Sequence, residues 1–348
     1  MFESDHRFPA DALTRFASRF LSGIGCSAQI AVEVAEHLVD ADLCGVYSHG
    51  IFRLTQYADD AKTGRFKPSG EPHLTSAEGG APLVLGQEGF GIPAMRLATQ
   101  EAVCMARDAG TGTVGVANIH HTGRMGAFAE MAAQEGCLVI MFGGGARHDW
   151  PQVAPYGGTK GRLPTNPYAF GIPGGERGPV VLDFATAAGA GGKVYAVLAS
   201  GRPLEEGLCI DAAGNPTTDP EDYFNGGALL PMAGPKGYGM AVVAELLGEA
   251  VYGEMMDGLN WICVCIDLKG FRKPSRYKTA AEHCLASLRT CPPAPGFDEV
   301  QVPGEREDAL REDRKRSGIP LSPGAVAELK ASAAALGIGS EELVSPAQ

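Results

Sequence analysis

A serine, a histidine and an arginine lie close together in the segment GVYSHGIFR, as Ser48, His49 and Arg53. If Ser48 caps a helix that runs toward Lys62, His49 and Arg53 lie one turn apart on the same face. This pair suits a 2-oxo or 2-hydroxy acid, because arginine holds a carboxylate through two hydrogen bonds and histidine exchanges the hydroxyl proton. The spacing by itself favours a plainer interpretation, a capping serine beside an exposed histidine and a surface arginine.

Two adjacent histidines, His120 and His121, lie in NIHHTG between a predicted strand and a predicted helix that contains Phe128. Ligands of α/β proteins bind at such turns, and a helix N-terminus favours a neutral imidazole. A neutral histidine can donate a hydrogen bond to a carbonyl or accept one from an alcohol. The alternatives are a metal ligand or an ordinary loop histidine. Because no acidic residue is near in sequence, we predict no metal site.

Two charged residues lie where their charge needs a partner. Asp183 follows the predicted buried strand Val180–Leu182, and a histidine N–H is a natural partner for a carboxylate there. Lys236 precedes a predicted helix N-terminus, where a cation opposes the helix dipole unless an anion is shared with the free N–H groups. A loop-capping aspartate and a solvated lysine are the simpler alternatives.

The glycine pattern Gly110-x-Gly112-x-x-Gly115 has the spacing of a dinucleotide fingerprint. Such a fingerprint follows a strand and opens a helix, whereas here the glycines follow a predicted helix and precede the strand Thr113–Ala117. We therefore interpret Gly110 and Gly112 as a left-handed helix cap. Gly143-Gly144-Gly145 is predicted to be a tight loop.

Hydrophobic periodicity predicts two N-terminal helices, a helix from Pro93 and another over Gly237–Val251. Buried strands are predicted at 138–142, 180–182 and 262–266, with Cys263 and Cys265 on one face. The segment from Lys273 onward is expected to be looser. Strands and helices alternate in the middle of the chain, so the fold class is α/β or α+β with helices at both ends.

Composition excludes several classes of protein. The 348 residues carry a net charge of −12, which argues against binding nucleic acid because phosphate binding needs clustered Lys and Arg. No apolar run is long enough to span a membrane, and the polar Met1–Pro9 does not resemble a signal peptide. Nine scattered cysteines without a C-x-x-C pair favour reduced thiols in a cytoplasmic protein.

Taken in order along the chain, several short runs resemble the malate/L-lactate dehydrogenase family of nicotinamide-dependent 2-oxoacid reductases, which includes cyclic-imine reductases. These runs are 41–50 with Arg53, 118–123, 154–158, 165–167, 183–186, 192–193, 216–220, 236–239 and 303–307. The resemblance implies a mixed central sheet that is not a Rossmann fold, flanked by helical segments from both chain ends. It also implies a homodimer. We expect residues 1–80 to form a helical segment, 81–270 the cofactor-binding domain, and 271–348 a segment that packs back on the first.

The resemblance also implies roles for individual residues. Ser48, His49 and Asp183 resemble a proton relay in which Asp183 orients His49, while His121 polarises the substrate oxygen or seats the nicotinamide. Other members of the family instead assign proton transfer to the histidine that matches His121. Arg53 and Thr165 are implied to contact the substrate. The implied cofactor contacts are His120, Gly145, Arg147, Asp183, Phe184, Ala185, Lys236, Gly304 and Glu305. Arg147 or His148 beside a 2′-phosphate would favour NADP over NAD.

The sequence therefore predicts an NAD- or NADP-dependent oxidoreductase acting on a small 2-oxo or 2-hydroxy carboxylic acid. One alternative is an NADPH-dependent reductase of cyclic imines, and a more distant one is a binding protein of the same fold without catalysis. A hydrolase with Ser48 as nucleophile is disfavoured, because adjacent serine and histidine side chains at a helix start are expected to diverge and no G-x-S-x-G elbow is present.

Overall fold

The computed structural model describes residues 6–255 and 258–344. Its helices are α1 Ala10–Gly23, α2 Ala28–Leu43, α3 Arg53–Thr63, α4 Gly91–Ala109, α5 Gly126–Gln134, α6 Gly191–Ala199, α7 Pro220–Phe224, α8 Pro235–Leu246, α9 Pro274–Arg289, α10 Glu305–Ser317 and α11 Pro323–Ala335. Its strands are β1 Arg7–Phe8, β2 His73–Ser76, β3 Pro82–Gly89, β4 Thr111–Ile119, β5 Cys137–Gly144, β6 Pro167–Ile172, β7 Val180–Ala185, β8 Cys209–Ile210, β9 Pro216–Thr217, β10 Ala228–Leu229, β11 Asn260–Asp267 and β12 Ile319–Pro320.

A seven-stranded mixed sheet forms the centre, in the order β2-β3-β4-β11-β5-β6-β7. Within it β3 and β4 run parallel, and the other neighbouring pairs are antiparallel. Helix α4 packs on β3, β4 and β11, while α5 packs on β5, β6 and β7. The predicted mixed α/β sheet is therefore confirmed, and its strand directions differ from the all-parallel order of a dinucleotide-binding Rossmann sheet.

The N-terminal helices form as their apolar spacing predicts. Leu13, Phe16 and Phe20 of α1 are fully buried, and the Ser27 side chain accepts a hydrogen bond from the backbone N–H of Ile30 at the start of α2. These helices share one hydrophobic core with the central sheet. None of the helices within the described ranges combines the length and apolar character needed to cross a bilayer.

The expectation of a loose C-terminal segment is wrong. Helices α9, α10 and α11 account for most of it, and β12 pairs with β1, which joins the C-terminal segment to the start of the described chain. The reason the periodicity failed is that α10 is polar on nearly every face. Its Arg311 is held by ion pairs with Asp40 of α2 and Glu130 of α5 rather than by an apolar stripe.

Two predicted elements of the central sheet also differ. Gly143 and Gly144 belong to β5 and pair with β11, so the predicted glycine loop is wrong for both. Glycine is needed there because a side chain at Gly144 would overlap the backbone of Ala244 in α8. The predicted buried strand at 180–182 is instead the edge strand β7, in which Leu182 is 38% exposed.

The glycine pattern serves packing and chain reversal. Gly110 ends α4 in the left-handed conformation with φ of 86°, as predicted. Gly112 is not part of the cap but lies within β4, where a β-carbon would overlap the Ala102 carbonyl oxygen of α4. The other predicted strand detail is confirmed, since Cys263 and Cys265 are both fully buried in β11.

We expect Gly112→Ala to lower the free energy of unfolding by about 1–3 kcal/mol, because the added methyl group must push α4 away from β4. Urea denaturation measures this change. Gly79→Ala is the matched control, since a β-carbon there meets nothing within 4 Å. A Gly112→Ala variant as stable as the parent would contradict the packing role.

Candidate active site

A cavity of about 1780 Å³ lies between α3, the end of β4, β7 and the C-terminal helices α10 and α11. Its walls bring together most of the predicted site residues, although they are distant in sequence. The predicted residues that line it are Ser48, His49, Arg53, His120, His121, Thr165, Asp183, Phe184, Ala185 and Gly304. The cavity is larger than the 300–1000 Å³ of common small-molecule pockets, so it has room for a cofactor and a small substrate together.

Ser48 and His49 lie in a short 3₁₀ helix, Tyr47–His49, that precedes α3. Helix α3 begins at Arg53 after Phe52, so the prediction that Ser48 caps this helix is wrong. The prediction that their side chains diverge is also wrong, because Ser48 Oγ lies 2.8 Å from His49 Nδ1. The tight 3₁₀ turn brings neighbouring side chains together in a way that an α-helical start does not.

A buried carboxylate holds this loop in place. Asp42 of α2 is only 2% exposed, and its Oδ2 accepts a hydrogen bond of 2.7 Å from the backbone N–H of Ile51. Gly50 has no room for a side chain because a β-carbon would overlap this carboxylate. Burial raises the pKa of Asp42 to about 7, although the Ile51 N–H and the nearby Arg314 oppose the shift.

Arg53 is a half-buried cation in the cavity wall. Its Nε donates to the Ser48 carbonyl oxygen at 2.6 Å, and Nη1 donates to Gln56 Oε1. Within residues 6–255 and 258–344 no carboxylate pairs with this guanidinium, and its Nη2 makes no hydrogen bond. Because half-buried charges are usually paired, an unpaired guanidinium in a cavity wall is suited to bind an anion.

His121 stacks on His49 in the same wall. The ring centroids lie 5.3 Å apart, and the ring planes are inclined by 24°. His121 Nδ1 lies 2.7 Å from the Tyr57 hydroxyl and also accepts from the backbone N–H of Gly123 at 3.3 Å. These two contacts, both made through Nδ1, fix the ring orientation.

Both imidazoles are uncharged at neutral pH. Removal from water and, as the second cause, the neighbouring Arg53 together lower the pKa of His49 to about 4. The same two causes, in the same order, hold the pKa of His121 well below its usual value. A third ring, His37, lies behind the site and accepts from the Arg124 backbone N–H at 2.9 Å.

His120 faces a different set of groups. Its ring stacks on Phe66 with centroids 4.7 Å apart, and its Nε2 lies 3.5 Å from Asp60 Oδ2. Its Nδ1 is buried without a hydrogen-bond partner, and so is the indole Nε1 of Trp261. Both residues line the cavity, and these two buried ring nitrogens are the atoms of theirs that lack a partner among the described residues.

Asp183 does not orient His49. Its Oδ2 accepts a 2.7 Å hydrogen bond from the backbone N–H of Gly126, the first residue of α5. No hydrogen bond or ion pair between the described atoms of Asp183 and His49 is present. The carboxylate instead satisfies a helix N-terminus, which is the capping alternative considered for it.

Four of the predicted cofactor contacts lie outside the cavity lining, namely Gly145, Arg147, Lys236 and Glu305. All of them except Lys236 already have a partner within the described chain. Arg147 forms a two-point ion pair with Glu249, so its charge is already compensated and does not favour a 2′-phosphate. Glu305 accepts from Arg289, and the Gly145 N–H donates to Glu245. Lys236 is exposed near the start of α8. His148 lies near Glu249 and Glu254, within ligand distance for a metal, but Arg147 already pairs with that Glu249.

Comparison with known proteins agrees with this arrangement. The sequence profile of the malate/L-lactate dehydrogenase family matches residues 8–330. The chain belongs to this family. The L-lactate dehydrogenase of Cupriavidus necator is 38% identical over 298 residues, which cover 82% of this chain and 85% of the relative.

Two further relatives of this chain show how broad the malate/L-lactate dehydrogenase family is. A Δ1-pyrroline-2-carboxylate/Δ1-piperideine-2-carboxylate reductase of Pseudomonas putida is 34% identical over 333 residues, covering 91% of this chain and 94% of the relative. The crystal structure of malate dehydrogenase from Entamoeba histolytica superimposes with a TM-score of 0.89 at 25% identity, covering 96% and 99% of the two chains. This is a family of hydroxy-acid oxidoreductases that also has a cyclic-imine reductase among the relatives, and the predicted fold and family are confirmed.

Several residues that shape the site of this family member were not predicted. They are Asp42, Tyr57, His37, Arg124 and Trp261. Tyr57 lies one helical turn after Arg53, and Arg124 follows the histidine pair by three residues, so spacing offered a signal for both. No local pattern marks His37 or Trp261, because their contacts with the site join segments far apart in sequence.

We expect Asp42→Asn to stabilise the protein at neutral pH, because an amide oxygen can still accept from Ile51 without the cost of burying a charge. In the parent, folding raises the pKa of this carboxyl from 3.8 to about 7, so stability is lost as pH rises between these values. The gain in the free energy of unfolding should therefore be small near pH 4 and should grow up to about pH 7.

Urea denaturation at several pH values measures this gain, with the exposed Asp59→Asn on α3 as the control. A gain that does not change with pH, or a loss at neutral pH, would show that Asp42 is ionised in the folded protein.

Proposed function

We propose that this chain is an NAD(P)-dependent dehydrogenase that interconverts a small 2-hydroxy carboxylic acid and its 2-oxo form. The observation that carries the proposal is Arg53, a half-buried guanidinium without a carboxylate partner in the described chain, next to the uncharged His49. A carboxylate bound to Arg53 would bring the carbon next to it close to both imidazoles.

Each side chain has a distinct task in this proposal. Arg53 Nη2 and the remaining Nη1 proton would bind the substrate carboxylate, since Nε is already used by Ser48. His121 would donate a hydrogen bond to the 2-oxo oxygen, and His49 would exchange a proton with that oxygen. Ser48 Oγ would hold the His49 ring through Nδ1, which leaves Nε2 for the substrate.

The low pKa of His49 in the free protein suits the oxidation direction, in which a neutral imidazole must accept the hydroxyl proton. For reduction the same ring must first be protonated. A bound carboxylate offsets the charge of Arg53, which is one cause of the low pKa, so substrate binding raises the pKa of His49 toward neutrality. The binding of substrate and the protonation of His49 are therefore coupled.

The cavity walls also fit a nicotinamide cofactor. A carboxamide carries one acceptor oxygen and an NH₂ donor, and the wall residues His120 and Trp261 each have a buried ring nitrogen without a partner among the described residues. Gly304, with φ of 101°, has no side chain and leaves the backbone of the wall open to close approach. When bound, the nicotinamide supplies or accepts the hydride at the substrate 2-carbon.

A cyclic imine carboxylate is a second candidate substrate. It carries the same carboxylate next to the reacting carbon, and the 34% identical relative from Pseudomonas putida is a reductase of such imines. The cavity volume accommodates the ring of either imine named for that relative. In this case His49 would give its proton to the imine nitrogen rather than to an oxygen.

The test is a panel assay in which NADH or NADPH is mixed with 2-oxo acids and cyclic imine carboxylates and its absorbance is followed. We expect oxidation with at least one class. We expect Arg53→Gln to raise KM for that substrate by roughly 30- to 150-fold, because a charge-assisted hydrogen bond contributes about 2–3 kcal/mol.

Cofactor affinity of Arg53→Gln, measured by nicotinamide fluorescence, should remain within about twofold of the parent because Arg53 is assigned to the substrate. Cofactor binding without turnover of any compound would favour a binding protein of this fold. Ester hydrolysis blocked by a serine reagent would favour the hydrolase.

We expect His49→Asn to lower kcat by about 10²- to 10⁴-fold, because the amide can hydrogen-bond but cannot exchange a proton at neutral pH. Steady-state kinetics with the substrate found in the panel gives this value. The exposed His73→Asn on β2 is the control and should retain parental activity. Parental kcat in a folded His49→Asn variant would remove His49 from the mechanism.

A further inference from the structure

His121 makes both of its described hydrogen-bond contacts through one ring nitrogen. Nδ1 lies 2.7 Å from the Tyr57 hydroxyl and 3.3 Å from the backbone N–H of Gly123, which can only donate. A proton on Nδ1 would face that N–H directly, so Nδ1 must carry the lone pair. The ring is neutral, and its single proton therefore resides on Nε2.

Tyr57 is built to be the donor in this contact. It is fully buried in α3, and its ring packs edge-on against Phe90 at a centroid distance of 4.9 Å and lies tilted against Phe66 at 6.3 Å. Burial raises the pKa of the Tyr57 hydroxyl above its ordinary value, so the hydroxyl keeps its proton at every pH at which the protein is studied. A rigid, protonated phenol directed at Nδ1 is a stronger constraint than the longer contact from Gly123.

We propose that Tyr57 is a positioning residue that holds His121 in the tautomer with its proton on Nε2, and thereby limits His121 to donating a hydrogen bond to the substrate. The role of this hydrogen bond in binding substrate rests on the proposed function. The tautomer itself follows from contacts in the free protein.

The consequence is a division of labour between the two stacked rings. A neutral His121 that gave up its Nε2 proton would become an anionic imidazolate, which is far costlier to form than a neutral imidazole. Protonation of His121 to the imidazolium would place a positive charge beside Arg53 and next to His49, and both of these neighbours lower the pKa of His121. His121 therefore polarises the oxygen, and the proton passes through His49.

The experiment measures the ¹⁵N chemical shifts of the His121 ring in the free protein, without cofactor or substrate, and compares Tyr57→Phe with the parent. The ring signals are assigned by their absence in His121→Gln. We expect the parent to show Nε2 protonated and Nδ1 unprotonated. In Tyr57→Phe we expect the tautomer ratio to shift by roughly 2- to 12-fold toward Nδ1 protonation, which is the effect of losing one ordinary hydrogen bond.

In the same variant we expect kcat for the panel substrate to fall by a similar factor, while KM stays within about twofold because Arg53 still binds the carboxylate. Tyr277→Phe is the matched control. It also removes a hydroxyl that makes one 2.7 Å hydrogen bond, to the Pro173 carbonyl oxygen, and Tyr277 does not line the cavity.

A parent spectrum with the His121 proton on Nδ1 overturns the proposal even if Tyr57→Phe does not fold. An unchanged tautomer ratio in a folded Tyr57→Phe variant also overturns it. If the spectra agree but no panel compound is turned over, the dehydrogenase proposal fails while the tautomer assignment stands. If a panel compound is turned over but the His121 proton lies on Nδ1, the dehydrogenase proposal stands and the tautomer assignment fails.

Discussion

The site depends on keeping two imidazoles uncharged beside a guanidinium that no carboxylate of residues 6–255 and 258–344 neutralises. His49 and His121 are removed from water, and the nearby Arg53 adds to the cost of protonating either ring. Were a carboxylate of the chain paired with Arg53, the cation would be satisfied internally and the rings would protonate more easily. A carboxylate ligand is therefore best suited to supply the negative charge that Arg53 lacks as a partner.

The scaffold behind this constraint is made of polar side chains that accept hydrogen bonds from the backbone. Buried Asp42 holds the turn that carries His49, and Asp183, in the cavity wall, satisfies the start of α5 just after the loop that carries His121. The His37 ring accepts from the backbone of the same loop. Because each of these groups is satisfied by a backbone N–H, the site geometry depends on chain positions rather than on long, mobile side chains.

The sequence allowed the family, the mixed sheet and the meeting of His49, Arg53 and His121 to be predicted, because these depend on ordered short motifs and regular periodicity. It did not reveal the 3₁₀ turn at Ser48, since one residue type suits both a helix cap and a tight turn. It placed Asp183 on the wrong partner, because a carboxylate after a strand can reach either a side chain or a helix N-terminus. The role of Tyr57 required knowing that α3 lies against the loop after β4, which no local pattern encodes.

The pairing of β1 with β12 has a consequence for how the protein is handled. Arg7 pairs with Pro320 and Phe8 with Ile319, and Pro320 with the following Leu321 forms part of the cavity wall. An affinity tag or deletion that disturbs the chain before Ala10 therefore alters a wall of this cavity rather than a remote surface. Low turnover in a recombinant protein altered at this end is therefore to be attributed first to a disturbed β1–β12 pair, and only then to the catalytic residues.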